Sequence, residues 1–131
     1  QWNARKPVIA AYRDRIDRPF RVLQRATGAL DDVRTFSGPS VRVLATTEAA
    51  LREADALLRH AVAPDEARAA HAVALSAVQL ATNAVRLRRE AIDTADMQRA
   101  RDASAAAAGA LMMSARAKVD MDRALKPPTL P

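Results

Sequence analysis

Cysteine is absent from this chain of 131 residues. Its absence excludes disulfide bonds, thiolate metal sites, iron–sulfur clusters and covalently attached haem. Only 3% of the residues are aromatic, and there are three glycines and two histidines. The glycines are isolated and form no phosphate-binding loop, and no nucleophile motif surrounds the serines or aspartates. We therefore expect no catalytic residue, no metal site and no cofactor, and the chain is predicted not to be an enzyme.

Alanine is the residue that the sequence has in abundance. Hydrophobic residues make up 50% of the chain, and 32 of them are alanine. Alanine is the best helix former and a poor strand former. The seven prolines are grouped at a few places, which leaves long uninterrupted segments between them. The composition predicts an all-α domain.

The apolar residues recur every three or four positions, a spacing typical of helices with one buried face. Interruptions occur at residues 37–40, at Pro64 and in the proline-rich C-terminal segment. We predict an antiparallel up-down-up-down four-helix bundle, with helices over residues 7–35, 40–62, 64–92 and 94–125. The bundle is predicted to form a single domain over residues 1–131, with extended tails at 1–6 and 126–131.

Two points of this architecture stay open in the sequence. Pro19 lies within the first helix and is compatible with either a kinked continuous helix or a break near this residue. The turn between the third and fourth helices contains no glycine or proline, and we place it at residues 92–97 with Asp93 as the N-cap. The alternative is that helices three and four are continuous and pack in a dimer.

Small residues line both the third and the fourth helix. Alanines recur from Ala70 to Ala84, and a second alanine-rich run from Ala103 to Ala110 includes Gly109. Small side chains allow two helix backbones to approach closely. We therefore expect helices three and four to pack at short distance, with Gly109 at the close approach. A large side chain at Gly109 is expected to destabilise the protein by overpacking.

The positive charge is unevenly distributed. The net charge is +6, of which residues 1–34 contribute +4, residues 35–95 none and residues 96–131 +2. Exposed arginines contact phosphates and acidic partners. The candidate contacts to an anion or a partner are Arg86 and Arg89, which share a helix face, and Arg18 and Arg21 on the first helix.

Two further groups of residues are candidates for a binding site. Tyr12 and Phe20, near Pro19, are the candidate lining of a ligand pocket between helices. His60 and His71 flank Pro64, but no Glu-x-x-His pair accompanies them. We therefore expect these histidines to be solvated or to cap helices rather than to bind a metal.

The sequence favours a non-enzymatic helical bundle that acts outside the cytoplasm as a protein-interaction or structural module. One alternative is a periplasmic sensor-type ligand-binding domain, and another is a basic helical module that binds nucleic acid or an anionic surface. Nucleic acid is the less favoured partner, because no nucleic-acid-binding motif is present. The longest uncharged run, Ala69–Val85, is shorter than the roughly 20 residues of a transmembrane helix. The chain begins at Gln1, and an upstream membrane anchor is compatible with that start. We expect another protein or a second copy of the chain as the partner.

Overall fold

The computed structural model describes residues 2–127, and within them the chain is all-helical with no strand. The four helices are α1 (Trp2–Arg34), α2 (Val41–His60), α3 (Arg68–Thr94) and α4 (Met97–Ala124). A short 3-10 helix, Asp65–Ala67, precedes α3. Each helix packs against the next, α1 also packs against α4, and α1 reaches α3 across the diagonal of the bundle. The predicted four-helix bundle is confirmed.

Helix α1 begins five residues earlier than the sequence predicts. Trp2–Lys6 are helical rather than an extended tail, even though Pro7 leaves the carbonyl of Asn3 without its usual amide donor. The first turns are held from outside the helix. The Arg5 guanidinium donates to both carboxylate oxygens of Glu66, at 2.9 and 2.8 Å. This tertiary contact ties the start of α1 to the segment that precedes α3.

Pro19 does not break α1. The helix runs through it without interruption, and the pyrrolidine ring is buried between Ile16 and Leu23 on the core face. The burial of apolar side chains on both sides of Pro19 offsets the loss of one backbone hydrogen bond. The first helix is therefore continuous, and the alternative of a break near Pro19 is wrong.

The N-terminus of α2 is capped by Ser40. Ser40 lies in extended geometry and its hydroxyl oxygen accepts a hydrogen bond from the amide of Val43 at 3.3 Å. This bond satisfies one of the amides that have no partner inside the helix. The helix ends at His60, two residues before the predicted end.

The turn between α3 and α4 lies inside the predicted interval but uses another cap. Ala95 adopts the left-handed conformation with φ of 54° and ends α3. Asp96 is then the N-cap of α4, because its carboxylate accepts from the amides of Gln98 and Arg99 at 2.9 and 3.2 Å. The predicted cap at Asp93 is wrong, since that residue still belongs to α3. The alternative of continuous third and fourth helices is also wrong.

The core between α3 and α4 consists largely of alanine, and this pair packs more extensively than any other pair of helices. On α3 the buried alanines include Ala70, Ala74, Ala77, Ala81 and Ala84. On α4 they include Ala103, Ala107, Ala110 and Ala117. The expected packing along the two alanine lines is thus present.

Gly109 has no special place in that packing. A Cβ atom at this position would lie 3.6 Å from Cδ1 of Leu80, an ordinary van der Waals distance. The nearby alanines Ala107 and Ala110 are fully buried. A methyl group therefore fits at this position, and destabilisation by a large side chain at Gly109 stays a prediction.

Helix α4 ends at Ala124. Lys126 and Pro127 follow α4 without helical structure, and the remainder of the predicted C-terminal tail lies outside the described residues.

Within residues 2–127, no helix combines the length and the hydropathy needed to cross a lipid bilayer.

Candidate functional site

An open groove lies on the described surface between α1 and α4. It has a volume of about 490 Å³. Its walls extend from Arg13 to Thr27 on α1, which is about 21 Å of helix, and from Leu111 to Lys126 on the opposite wall. The apolar side chains of the lining are Ile16, Phe20, Leu23, Leu111, Ala115, Met121 and Leu125.

The groove exists because α4 presents two short side chains, Ser114 and Ala115, to α1. Ser114 and Ala115 line the groove opposite the α1 positions Gln24 and Thr27. The side chain of Phe20 is only half-buried, and it packs against the edge of the core. Leu111 and Met121 of α4 also line the groove, which has an apolar floor and is open to solvent.

Charge is concentrated at one end of the groove. Arg13 donates a hydrogen bond from Nη2 to the carbonyl of Leu125 at 2.7 Å, so the N-terminal half of α1 lies beside the C-terminal end of α4. Arg21 forms an ion pair with Asp17 at 2.8 Å. The other charged groups of the lining are Lys118, Asp122 and Lys126. Within residues 2–127, none of these three is within 4 Å of an oppositely charged group.

The opposite end of the groove carries no charge. Its lining there consists of Gln24, Thr27, Leu111, Ser114 and Ala115. The contact of the Ser104 hydroxyl with the Arg34 carbonyl, at 2.6 Å, closes the two helices beyond this end. The groove therefore runs from a charged end to a neutral end.

The two residues predicted to line a ligand pocket are separated in the structure. Phe20 lines the groove, but Tyr12 is buried in the core and faces α3. The Tyr12 hydroxyl donates to Nδ1 of His71 at 2.6 Å, and Nε2 of His71 donates to the carbonyl of Leu58 at 2.9 Å. Burial raises the pKa of Tyr12 above its ordinary value. Tyr12 and His71 thus form a structural hydrogen-bond chain that links three helices.

The two histidines that flank Pro64 differ in their surroundings. His71 uses both ring nitrogens in the bonds to Tyr12 and Leu58, while His60 is exposed at the end of α2. Within the described residues, no group of three or more histidine, aspartate or glutamate side chains is arranged to hold a metal ion.

The four predicted arginines do not form one surface. On α1, Arg18 pairs with Glu53 and Arg21 pairs with Asp17, each at 2.8 Å. Because each guanidinium is already paired with a carboxylate, its charge is largely compensated within the chain. Arg21 is the one of the four that also lines the α1–α4 groove.

The two α3 arginines also have partners. Arg86 pairs with Glu90 at 3.0 Å and lines a second groove, of about 420 Å³, between α2 and α3. That groove has a polar lining, to which Arg52 and Arg59 of α2 also contribute. Arg89 lies on the same side of α3 and reaches across to Glu48 of α2.

Glu48 is a buried carboxylate that the sequence did not single out. Only 7% of the residue is exposed. It accepts hydrogen bonds from Arg52 at 2.7 Å and from Arg89 at 3.1 Å. Burial by itself would raise the pKa of Glu48, but the hydrogen bonds from the two guanidinium groups outweigh it and lower the pKa. Arg89 therefore has a structural role between α2 and α3.

Sequence reasoning missed the lysines of the groove. Lysine is scarce in this chain, with three residues against 18 arginines, and two of the three lysines, Lys118 and Lys126, line the α1–α4 groove. The uneven charge along the chain was the available signal. The two segments with excess positive charge contain the two helices that form the groove.

Comparisons with known proteins supply no family for this chain. No protein-family model matches it, and neither a curated protein nor a solved structure shows a significant match. The site is therefore interpreted from its own chemistry.

Proposed function

We propose that the protein is a non-enzymatic ligand-binding helical domain and that its binding site is the α1–α4 groove. The observation that carries the proposal is the groove of about 490 Å³ with an apolar floor. Small-molecule sites in proteins are concave, mostly apolar and about 300–1,000 Å³ in volume, with a few polar groups that orient the ligand. The proposal corresponds to the sensor-type class among those that the sequence allows. An extracytoplasmic location stays a prediction of the sequence.

The proposal is tested with a substitution that places a large side chain in the groove from its edge. Ala115 is exposed and lines the groove, so Ala115→Trp places an indole in the space without disturbing the buried core. Ala105→Trp is the matched control, because Ala105 is an exposed alanine of α4 outside the lining. The probe is Nile red, a neutral apolar dye whose fluorescence rises on transfer to an apolar site.

We expect the unsubstituted protein and Ala105→Trp to bind one Nile red molecule with the same affinity. Ala115→Trp is expected to bind it at least about fivefold more weakly, since the indole occupies space that the dye needs. Absence of saturable dye binding, or equal binding by both variants, would show that the groove is not the site.

A second candidate is the protein-interaction module that the sequence favours. It is supported by Met112 and Val119, which are 74% and 55% exposed. They are seven residues apart and so lie on one face of α4, beside Ala115 at the groove edge. A partner helix packed along this face would cover them. We rank this candidate second because a stable interface buries about 800 Å² on each partner, more than two large apolar side chains offer.

The basic-module alternative ranks below both. Its four candidate arginines are each paired with a carboxylate of the same chain. Binding of phosphates would have to compete with these pairs, which lowers the gain from each contact.

A further inference from the structure

We propose that the groove takes an anionic amphiphile, a molecule with one apolar chain and one negatively charged head group. This inference rests on the proposed function, because it names the ligand class of the same groove. The head group is assigned to the charged end, near Lys118 and Lys126, and the chain to the apolar floor.

The charges of the lining favour an anion. Four cationic and two anionic side chains line the groove, which leaves a net charge of +2. Asp17 is engaged by Arg21 at 2.8 Å, so these two charges compensate each other. Arg13 remains positive while it donates to the Leu125 carbonyl. The remaining opposing charge is the Asp122 carboxylate, against Arg13 and the two lysines.

The two lysines are suited to a mobile head group. Both Lys118 and Lys126 are exposed, and within residues 2–127 neither is within 4 Å of a carboxylate. An ammonium group on a flexible four-carbon stem adapts its position, whereas the arginines elsewhere in this fold are held in fixed pairs. Near an apolar floor, the lysine stems also cover apolar surface while their charged ends stay in water.

The neutral end of the groove suits the other part of such a ligand. From Leu23 and Gln24 towards Leu111 and Ala115 the lining is apolar or uncharged. A ligand with charge at both ends would place one of them there without a partner, and desolvation of an unpaired charge is unfavourable. An uncharged ligand would gain nothing from the cationic end. The polarity of the groove therefore specifies both the head group and its direction.

The electrostatic field of the whole bundle also favours an anionic ligand. The net charges of +4 and +2 belong to residues 1–34 and 96–131, which contain the two helices that flank the groove. The intervening residues, 35–95, are neutral overall. A cleft lined by one sign of charge attracts ligands of the other sign.

The experiment compares three twelve-carbon probes that differ in the head group: dodecanoate, dodecanol and dodecyltrimethylammonium. Each is titrated below its micelle concentration against the protein with Nile red in the groove, at low salt. We expect dodecanoate to displace the dye with an affinity about tenfold higher than that of dodecyltrimethylammonium, with dodecanol between them.

The double variant Lys118→Gln and Lys126→Gln is expected to weaken dodecanoate binding about fivefold, the effect of two exposed charge contacts. Its dodecanol affinity is expected to be unchanged, which also reports that the groove is intact. The matched control is Arg15→Gln with Arg42→Gln. Both residues are exposed, line neither groove, and the pair lowers the net charge equally. This control should bind dodecanoate as the unsubstituted protein does.

Two outcomes would overturn the inference in different ways. If all three probes displace the dye with equal affinity, or if the control weakens dodecanoate binding as much as the lysine variant, the groove binds apolar chains without head-group selection. The proposed function then stands and the anionic ligand does not. If the groove binds neither Nile red nor any of the probes, the proposed function itself is wrong.

Discussion

Helix α4 makes two interfaces of opposite character. Towards α3 it presents buried alanines, which meet alanines on the other helix, and this pair packs more extensively than any other. Towards α1 it presents Ser114 and Ala115 together with longer side chains, and an open groove remains between the helices. The same abundance of small residues thus produces close packing on one side and empty space on the other.

The difference shows that small residues pack densely only when both partners are small. An alanine opposite an alanine allows the two backbones to approach each other. The shorter distance between the helices keeps the packing dense although the side chains are small. An alanine opposite larger groups leaves space wherever those groups do not fill it, and the groove beside Ile16, Phe20 and Leu23 stays open. The α3–α4 interface is therefore expected to contribute most to stability, and the α1–α4 groove is the proposed ligand site.

The largest expected effect comes from adding the same side chain to each interface. Ala107 is fully buried on α4, and Ala115 is exposed at the groove. Ala107→Leu is expected to lower the free energy of unfolding by roughly 2–3 kcal/mol through overpacking. Ala115→Leu should change it by less than about 0.5 kcal/mol. Urea unfolding followed by circular dichroism measures both, and equal effects would mean that the two interfaces do not differ.

A smaller loss of stability is expected at the contact between α2 and α3, which includes an ion pair between Glu48 and Arg89. Glu48→Gln removes the carboxylate that holds Arg52 and Arg89, and we expect a loss of about 1–2 kcal/mol in the free energy of unfolding. Glu53→Gln is the control, because its ion pair with Arg18 is half-exposed and should contribute less than about 0.5 kcal/mol. Equal losses in the two variants would contradict a special role for Glu48.

Because Glu48 can be protonated, the difference in stability between the unsubstituted protein and Glu48→Gln depends on pH. The pKa of Glu48 is lowered in the folded state from its usual value near 4.5, so its contribution to stability is fully present above that value. The contribution is lost as the pH falls through the lowered pKa, because protonation removes the charge that the arginines bind. Glu48→Gln should therefore lose less stability than the unsubstituted protein as the pH falls below 4.5 and through the lowered pKa of Glu48. A parallel loss in both would contradict the assignment.

The smallest expected effect is a gain. Gly109→Ala adds a methyl group at ordinary contact distance from Leu80 and should raise the free energy of unfolding by about 0.5–1 kcal/mol, the difference in helix propensity. Gly28→Ala is the control, since a Cβ atom there meets nothing within 4 Å. Thermal unfolding of both variants decides the point. A lower melting temperature for Gly109→Ala alone would show that glycine is required at the α3–α4 contact after all.

The sequence by itself determined the helices and most of their ends. Alanine abundance, the Ser40 cap and the interruption at Pro64 act within a few residues of the chain, so they can be recognised without the fold. The interval of the α3–α4 turn was predictable for the same reason. The residue that caps α4 was not, because Asp93 and Asp96 are both suitable locally and the choice depended on where Ala95 could adopt a left-handed conformation.

Only the tertiary structure decided what lies between the helices. Arg5 at the start of α1 pairs with Glu66, 61 residues away, and Arg89 pairs with Glu48 of another helix. The groove depends on the distance between α1 and α4, which is set by the large side chains of α1 and by how closely α4 packs against α3. Local patterns carry no information about such distances. Composition therefore predicted that the helices form and that two of them pack closely, while the packed bundle decided where space and charge remain for a ligand.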